Sequence, residues 1–483
     1  MPTLALFGWP LAAMAFLRGL PRVRALIWTA LLGYLFLPEA FGIDLPGLPP
    51  ITKYTVISGT LLIMVRLTAP KGHQAVGGLV DAAPVFGKVL MVLIAVLFLS
   101  SLLTVATNRA PLVFGPTVLP GLGVRDLISM TSNTLLLIIP FLVARRHLAT
   151  PEAHRALMKA LVYAGLFYSL LMLIEIRLSP QLHNWVYGYH QHSFAQHIRG
   201  GDFRPKVFLA HGLTVGLFMM MCILAAFALA WGRDGERQSA GWYVAGLWLL
   251  GILFLSSNLG ATVLALLFVP LMFLGGALRI LAILSVTVAF LSYPVLRSAG
   301  FVPVDAVERA AATISEERAQ SFAFRLKNED LLLARANEKP LVGWGGWSRN
   351  RVFDERGVDV STPDGRWIIE LGTGGWLRYI GLFGLVTLSL LVLRRTASRK
   401  DVPIETTAMG LIMAASLINL IPNSAFSPIN WMIAGALAGF VQFDHRHQLG
   451  GRPEDEKQED RSGSRTQRYT RFESTPADRG DGE

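Results

Sequence analysis

The sequence predicts an all-α fold, a polytopic membrane protein with about 12–13 transmembrane helices and a large, partly helical external loop. Three observations carry that prediction. Hydrophobic residues form 52% of the 483-residue chain and charged residues 16%, against roughly 25% charge in a soluble domain. The apolar residues gather into runs approaching the roughly 20 residues that cross a bilayer, where a helix satisfies its own backbone. Lys and Arg concentrate in alternate connections between these runs, as in cytoplasmic loops. The same composition excludes a largely disordered chain, and the single cysteine, Cys222, excludes a disulfide scaffold.

The runs lie, in order, at 3–17, 25–38, 52–68, 87–105, 126–144, 157–176, 207–231, 242–257, 259–275, 279–297, 372–393, 405–421 and 427–443. The first is followed, not preceded, by Arg18, Arg22 and Arg24, so it reads as a retained span and not a cleaved signal. The runs 242–257 and 259–275 are parted only by Ser256-Ser257-Asn258 and read as two spans or as one broken element. Arg18, Arg22 and Arg24, Arg145 and Arg146, and Arg394 and Arg395 all fall on one side. That bias places the N-terminus outside and the C-terminus in the cytoplasm. The chain then divides into N-terminal spans over 1–297, with an external Arg/His-rich loop at 177–206, a large external loop at 298–371, and C-terminal spans over 372–443. The tail 444–483 is too polar to bury a core and is expected to be disordered and cytoplasmic.

In the large loop, residues 305–337 read as an amphipathic helix, with Phe322, Leu326, Leu331 and Leu333 at helical spacing and Asn337 and Pro340 at its end. Arg325 and Glu329 stand at i and i+4, which suits either an ordinary helix ion pair or an Arg325 that serves a ligand. Gly343-Trp344-Gly345-Gly346-Trp347 follows. Tryptophan faces pack on the C–H faces of sugars and also anchor at membrane interfaces. The loop closes on Asp364-Gly365-Arg366-Trp367, with Glu370 next to an apolar span. Glu370 and Arg378 fall at or within the expected membrane boundary, where an ionisable group is costly and so faces a polar cavity or a partner.

The smaller external segment holds His183, His190, His192, His197 and His211. Imidazole suits Zn or Cu, yet no cysteine accompanies them and their spacing fits no standard zinc pattern, so no metal is expected. Arg199, Arg204 and Lys206 lie among them. Arginine binds two phosphate oxygens at once and stays charged. Pro205 is expected in the first turn of the helix over 207–231, whose free N–H groups would face an anion.

These stretches resemble the bacterial O-antigen ligase and polysaccharide polymerase superfamily. The resemblance rests on Arg204-Pro205 heading a span with His211-Gly212 after it, and on Ser256-Ser257-Asn258-Leu259-Gly260-Ala261, with Asn258 where the family usually has Arg. It rests also on Arg325 leading to Pro340-Leu341-Val342-Gly343-Trp344-Gly345 and then to Gly381-Leu382-Phe383-Gly384. What it implies is an inner-membrane glycosyltransferase of exopolysaccharide or O-antigen synthesis whose active face, including 298–371, is periplasmic. The donor would be a glycan on undecaprenyl diphosphate and the acceptor a glycan or a lipid. Residues 298–371 contain no histidine, whereas ligases of the family carry a His-Asn pair there, which turns the expectation toward a polymerase. In that scheme Arg204 and Arg325 bind the diphosphate with Arg199, Lys206 and Arg366. Asp364, Glu370 or His211 is the base. Trp344, Trp347 and Trp367 form a sugar platform. Neither cofactor nor nucleic acid is expected; the lipid bilayer and other polysaccharide-assembly proteins are the expected surroundings. A transporter of lipid-linked glycans is the rival reading, since a broken span also suits transport.

Overall fold

The computed structural model describes residues 1–443 apart from 45–49, 69–83, 192–197, 200–201, 233–235, 305–308, 310–311, 314–315 and 399–401. The tail 444–483 and the histidines His192 and His197 therefore lie outside the described residues.

Each apolar run folds into a helix, because a contiguous apolar stretch buries its side chains while pairing its own N–H and C=O groups. The helices are α1 Pro2–Gly19, α2 Arg22–Phe36, α3 Lys53–Leu67, α4 Pro84–Thr107, α5 Val124–His147, α6 Pro151–Leu178, α7 Leu182–Tyr187, α8 Gly212–Trp231, α9 Glu236–Leu255, α10 Leu259–Met272, α11 Gly276–Ser298, α12 Glu316–Asn337, α13 Arg366–Ala397, α14 Ile404–Asn419 and α15 Pro428–Phe443. Of these, α4, α5, α6, α8, α11 and α13 are long and apolar enough to cross a membrane. Strand, among the described residues, is confined to three antiparallel hairpins: β1 Gly42–Ile43 with β2 Ile51–Thr52, β3 Leu112–Phe114 with β4 Thr117–Leu119, and β5 Ile198–Arg199 with β6 Asp202–Phe203. The protein is an all-α, multi-pass membrane protein.

Helix α8 is apolar on every face, and 89% of its membrane window is buried, as expected of a helix surrounded by others. It packs against α6, α9, α10 and α14. The Ser256-Ser257-Asn258 interruption is a tight reversal, with Ser257 at φ 55°. It separates two helices that run in opposite directions along α8. Gly246 of α9 faces Phe227, whereas Ala261 at the start of α10 lies beside Gly216 and Phe273, just past its end, beside Phe227 and Trp231. The two apolar runs are thus two helices and not one broken element.

Two local departures shape the site. Helix α8 begins at Gly212, not at residue 207, and Pro205 lies in an irregular segment before it. The cause is distant in sequence. The Glu175 carboxylate at the end of α6 accepts the backbone N–H groups of Lys206 (2.9 Å) and Val207 (2.8 Å), and Tyr168 Oη accepts that of Phe208 (3.1 Å). Those donors are held away from helical geometry, and Val207 sits at φ 52°. The second departure is in α13, which is interrupted at Gly375 (φ 63°, ψ −165°). The stretch Pro340–Gly345 lies across the break. Trp344 and Gly345 N–H donate to the Gly372 and Thr373 carbonyls, and Trp376 and Leu377 N–H donate to the Pro340 and Leu341 carbonyls. A side chain at Gly375 would strike Leu341, and one at Gly343 would come within 2.6 Å of the Gly374 nitrogen, so the close approach requires glycine at both.

The large loop is bolted to the α4–α5 connection. Arg349, 2% exposed, donates to the carbonyls of Trp344 (3.2 Å), Pro120 (2.7 Å) and Ala110 (3.1 Å). Phe353 stacks on Phe114 at 4.8 Å.

Candidate functional site

At one end of the bundle the C-terminal end of α2 and the N-terminal ends of α3, α8, α13 and α15 surround a cavity of about 600 Å³. Its charged and ionisable lining is His211, Arg325, Asp364 and Arg366, contributed by the cap of α8, the middle of α12 and the turn that starts α13. Tyr34, Tyr54, Thr214 and the α14–α15 connection from Asn423 to Ser427 complete much of the wall.

Arg325 Nε lies 3.5 Å from Asp364 Oδ2, with both side chains partly exposed. The i,i+4 alternative does not form. Glu329 is held by Tyr293 Oη, which donates at 3.1 Å, and by Arg297 at 3.7 Å, which leaves Arg325 to face the cavity. Burial pushes the Asp364 carboxyl above its ordinary value, and the Arg325 guanidinium only partly offsets this. A carboxyl so raised is a stronger base than one in water.

Behind this pair, Glu370 is 2% exposed and takes Arg366 on one oxygen (2.5 Å) and Arg378 on the other. Arg378 reaches back across the break in α13 and also lies 3.3 Å from Thr134 of α5. Glu370 therefore gives one oxygen to each of two guanidinium groups. The group as a whole sets the cations Arg325, Arg366 and Arg378 against the carboxylates Asp364 and Glu370, an excess of positive charge at a partly open site.

His211 caps α8, its Nδ1 accepting the Leu213 N–H at 3.2 Å. A ring that accepts at Nδ1 carries its proton on Nε2. In this geometry the imidazole is a hydrogen-bond donor at Nε2 and not a base. Arg204 is 4% exposed and lies behind His211: its Nε donates to Asn258 Oδ1 at 2.7 Å, and its Nη2 bonds to the same oxygen. Asn258 is itself oriented by Ser256, whose hydroxyl accepts its amide at 2.9 Å. A Cβ at Gly212 would lie 2.7 Å from Arg204 Cγ, so glycine after His211 is what lets the arginine cross the helix start.

The other expected residues lie elsewhere. Lys206 is fully buried next to Glu175, and among the described residues its ammonium has no hydrogen-bond partner. Arg199 stands opposite Asp202 in the β5–β6 hairpin. Trp344 is buried, with the Arg335 guanidinium 3.4 Å and the Lys339 ammonium 4.3 Å from its ring centroid. Trp367 is fully buried, edge-on to Tyr293 at 5.1 Å. Trp347 is 54% exposed and outside the cavity. None of the three tryptophans lines it. Among the histidines, His183 has both ring nitrogens occupied, Nδ1 donating to the Tyr189 carbonyl (2.9 Å) and Nε2 accepting the Glu39 N–H (3.3 Å). Burial lowers its pKa to about 4. Among the described residues no His, Cys, Asp or Glu cluster has the make-up of a metal site.

Sequence reasoning overlooked Tyr34, Tyr54 and the Asn423–Ser427 connection. Its signal was present, in Asn423, Ser424 and Ser427 ahead of Pro428 between two spans, but nothing ionisable marks it. Beside the polar cavity lies a second, apolar recess of about 220 Å³ between α3, α5 and α15. Tyr54, Leu137 and Phe426 line both spaces. Compared with known protein families and with curated proteins, the chain matches none.

Proposed function

We propose that this protein is a bacterial inner-membrane glycosyltransferase of the polysaccharide polymerase type. It moves a glycan from a polyprenyl diphosphate carrier to an acceptor glycan at the periplasmic face. The observation that carries the reading is the convergence of Arg325, Asp364, Arg366 and His211, far apart in the chain, on one cavity. The adjoining apolar recess supports it, because a lipid diphosphate needs a cationic pocket next to a place for hydrocarbon.

Arg325 and Arg366 hold the diphosphate, and His211, at the cap of α8, forms part of the cavity wall beside it. Glu370 and Arg378 position Arg366, while Arg204, locked to Asn258, fixes the wall behind His211. The acceptor hydroxyl oxygen attacks the anomeric carbon and its proton passes to Asp364. The bond from that carbon to the phosphate oxygen breaks, and the diphosphate leaves as an anion stabilised by the two guanidinium groups. The first isoprene units of the carrier occupy the apolar recess.

The test expresses Arg325→Ala and Arg366→Ala at normal membrane levels in a strain lacking the native copy. Surface glycan reduced to single repeat units is the expected outcome. Loss of all acceptor-linked glycan would reassign the protein as a ligase. Unchanged polysaccharide in both variants overturns the catalytic reading.

A further inference from the structure

We infer that the uncharged polar groups of the cavity form a separate subsite for sugar hydroxyls. They are Thr214 in the first turn of α8 and Asn423 and Ser424 in the α14–α15 connection. The inference rests on the function proposed above and deepens it: diphosphate and sugar are read by different residues.

A diphosphate is recognised by charge, and the charges in the cavity come from α12 and the start of α13. Thr214, Asn423 and Ser424 carry none. Hydroxyls and amides both donate and accept, as sugar hydroxyls do. They are also available. Among the described residues the Thr214 and Ser424 hydroxyls and Asn423 Oδ1 have no protein hydrogen-bond partner, while Asn423 Nδ2 is anchored to Asn419 Oδ1 at 3.0 Å.

The connection is held in place before any ligand arrives. The Arg366 N–H is shared between the Leu420 and Asn423 carbonyls, both at 3.0 Å. Ser427 caps α15, with its hydroxyl 2.7 Å from Asn430 Oδ1. A Cβ at Gly365 would strike the Ile421 carbonyl, so the connection lies directly against the Asp364-Gly365-Arg366 turn. A sugar bound there sits next to the carboxyl and the guanidinium that the transfer needs. Phe426, edge-on to Trp431 at 5.4 Å, adds an aromatic surface of the kind sugar C–H faces pack against. The buried Trp344 and Trp367 do not offer one. A preformed set of this kind binds without the entropic cost of ordering it.

The experiment uses the full-length protein in nanodiscs and two probes, a polyprenyl diphosphate and the same lipid bearing one N-acetylhexosamine. Thr214→Val and Ser424→Ala are nearly isosteric and should fold; Asn423→Ala is the third variant. Each should weaken the sugar-bearing probe about five- to tenfold, as loss of one hydrogen bond does, and leave the bare diphosphate unchanged. Arg325→Ala should weaken both probes alike. Equal losses for both probes in the three polar variants, or no loss in any, overturn the sugar subsite while the diphosphate reading stands. If Arg325→Ala weakens neither probe, the proposed function fails and the subsite falls with it.

Discussion

Around Trp344, Arg335 and Lys339 lie over the aromatic ring and are held by Glu338 and Asn108, while Arg349 gives its donors to backbone carbonyls. Around Asp364, by contrast, Arg325 and Arg366 meet carboxylates at the wall of a cavity. Both groups come from α12 and the loop and helix that follow it, and both mix arginine with tryptophan. What separates them is the partner. Arg349 has its guanidinium donors taken by three carbonyls, so no ligand can use it without breaking the fold. Arg325 is opposed by one partly exposed aspartate that a more highly charged anion can displace. Residue type alone does not distinguish a clasp from a binding site; the satisfaction of the donors does.

The sharpest way to break this contrast is Asp364→Asn. If Asp364 takes the acceptor proton, turnover should fall by about three orders of magnitude, within the usual range for general bases, while lipid diphosphate binding is kept. The pH profile gives a second readout. The base must be ionised, and burial raises its pKa, so initial rates should climb with pH through a midpoint higher than that of an ordinary aspartate. Full activity in Asp364→Asn would remove the residue from the mechanism.

Arg349→Ala probes the other side. It leaves three carbonyls without their donor and should cost about 3 kcal/mol of stability, read by thermal unfolding in detergent. The folded fraction should retain its turnover; lost turnover at unchanged stability would blur the distinction between the clusters. The smallest effect belongs to Trp347→Ala. That ring is exposed and outside the cavity, so stability should change by less than about 0.5 kcal/mol and activity not at all. An inactive variant would return Trp347 to the role of sugar platform that its glycine-rich setting suggests.

The spans were legible because bilayer thickness writes itself into the length of apolar runs, and α12 ends at Asn337 as its residues predict. Asp364, Arg366 and Glu370 stood out because charge beside a span is costly and therefore sparse. Other features leave no local mark. Val207-Phe208-Leu209-Ala210 looks like the start of a span, and Glu175 and Tyr168, in another helix, take the backbone N–H groups that would start it. Trp344 reads as an exposed platform until Arg335 and Lys339, on the preceding turns of chain, are seen to occupy it. Tyr34 and Tyr54, near the ends of α2 and α3, and the Asn423–Ser427 connection are uncharged, and their convergence is a product of the bundle and not of any pattern along the chain.

The interruption at Gly375 has a mechanical side. A continuous rod would tie Arg366 and Glu370 to the membrane-embedded remainder of α13. The joint is instead sutured on both sides by Pro340–Gly345, which bonds to Gly372 and Thr373 before the break and to Trp376 and Leu377 after it. Arg378, from the far side of the joint, braces the Glu370 that holds Arg366, so the aim of the anion-holding arm is set by both halves of the helix at once.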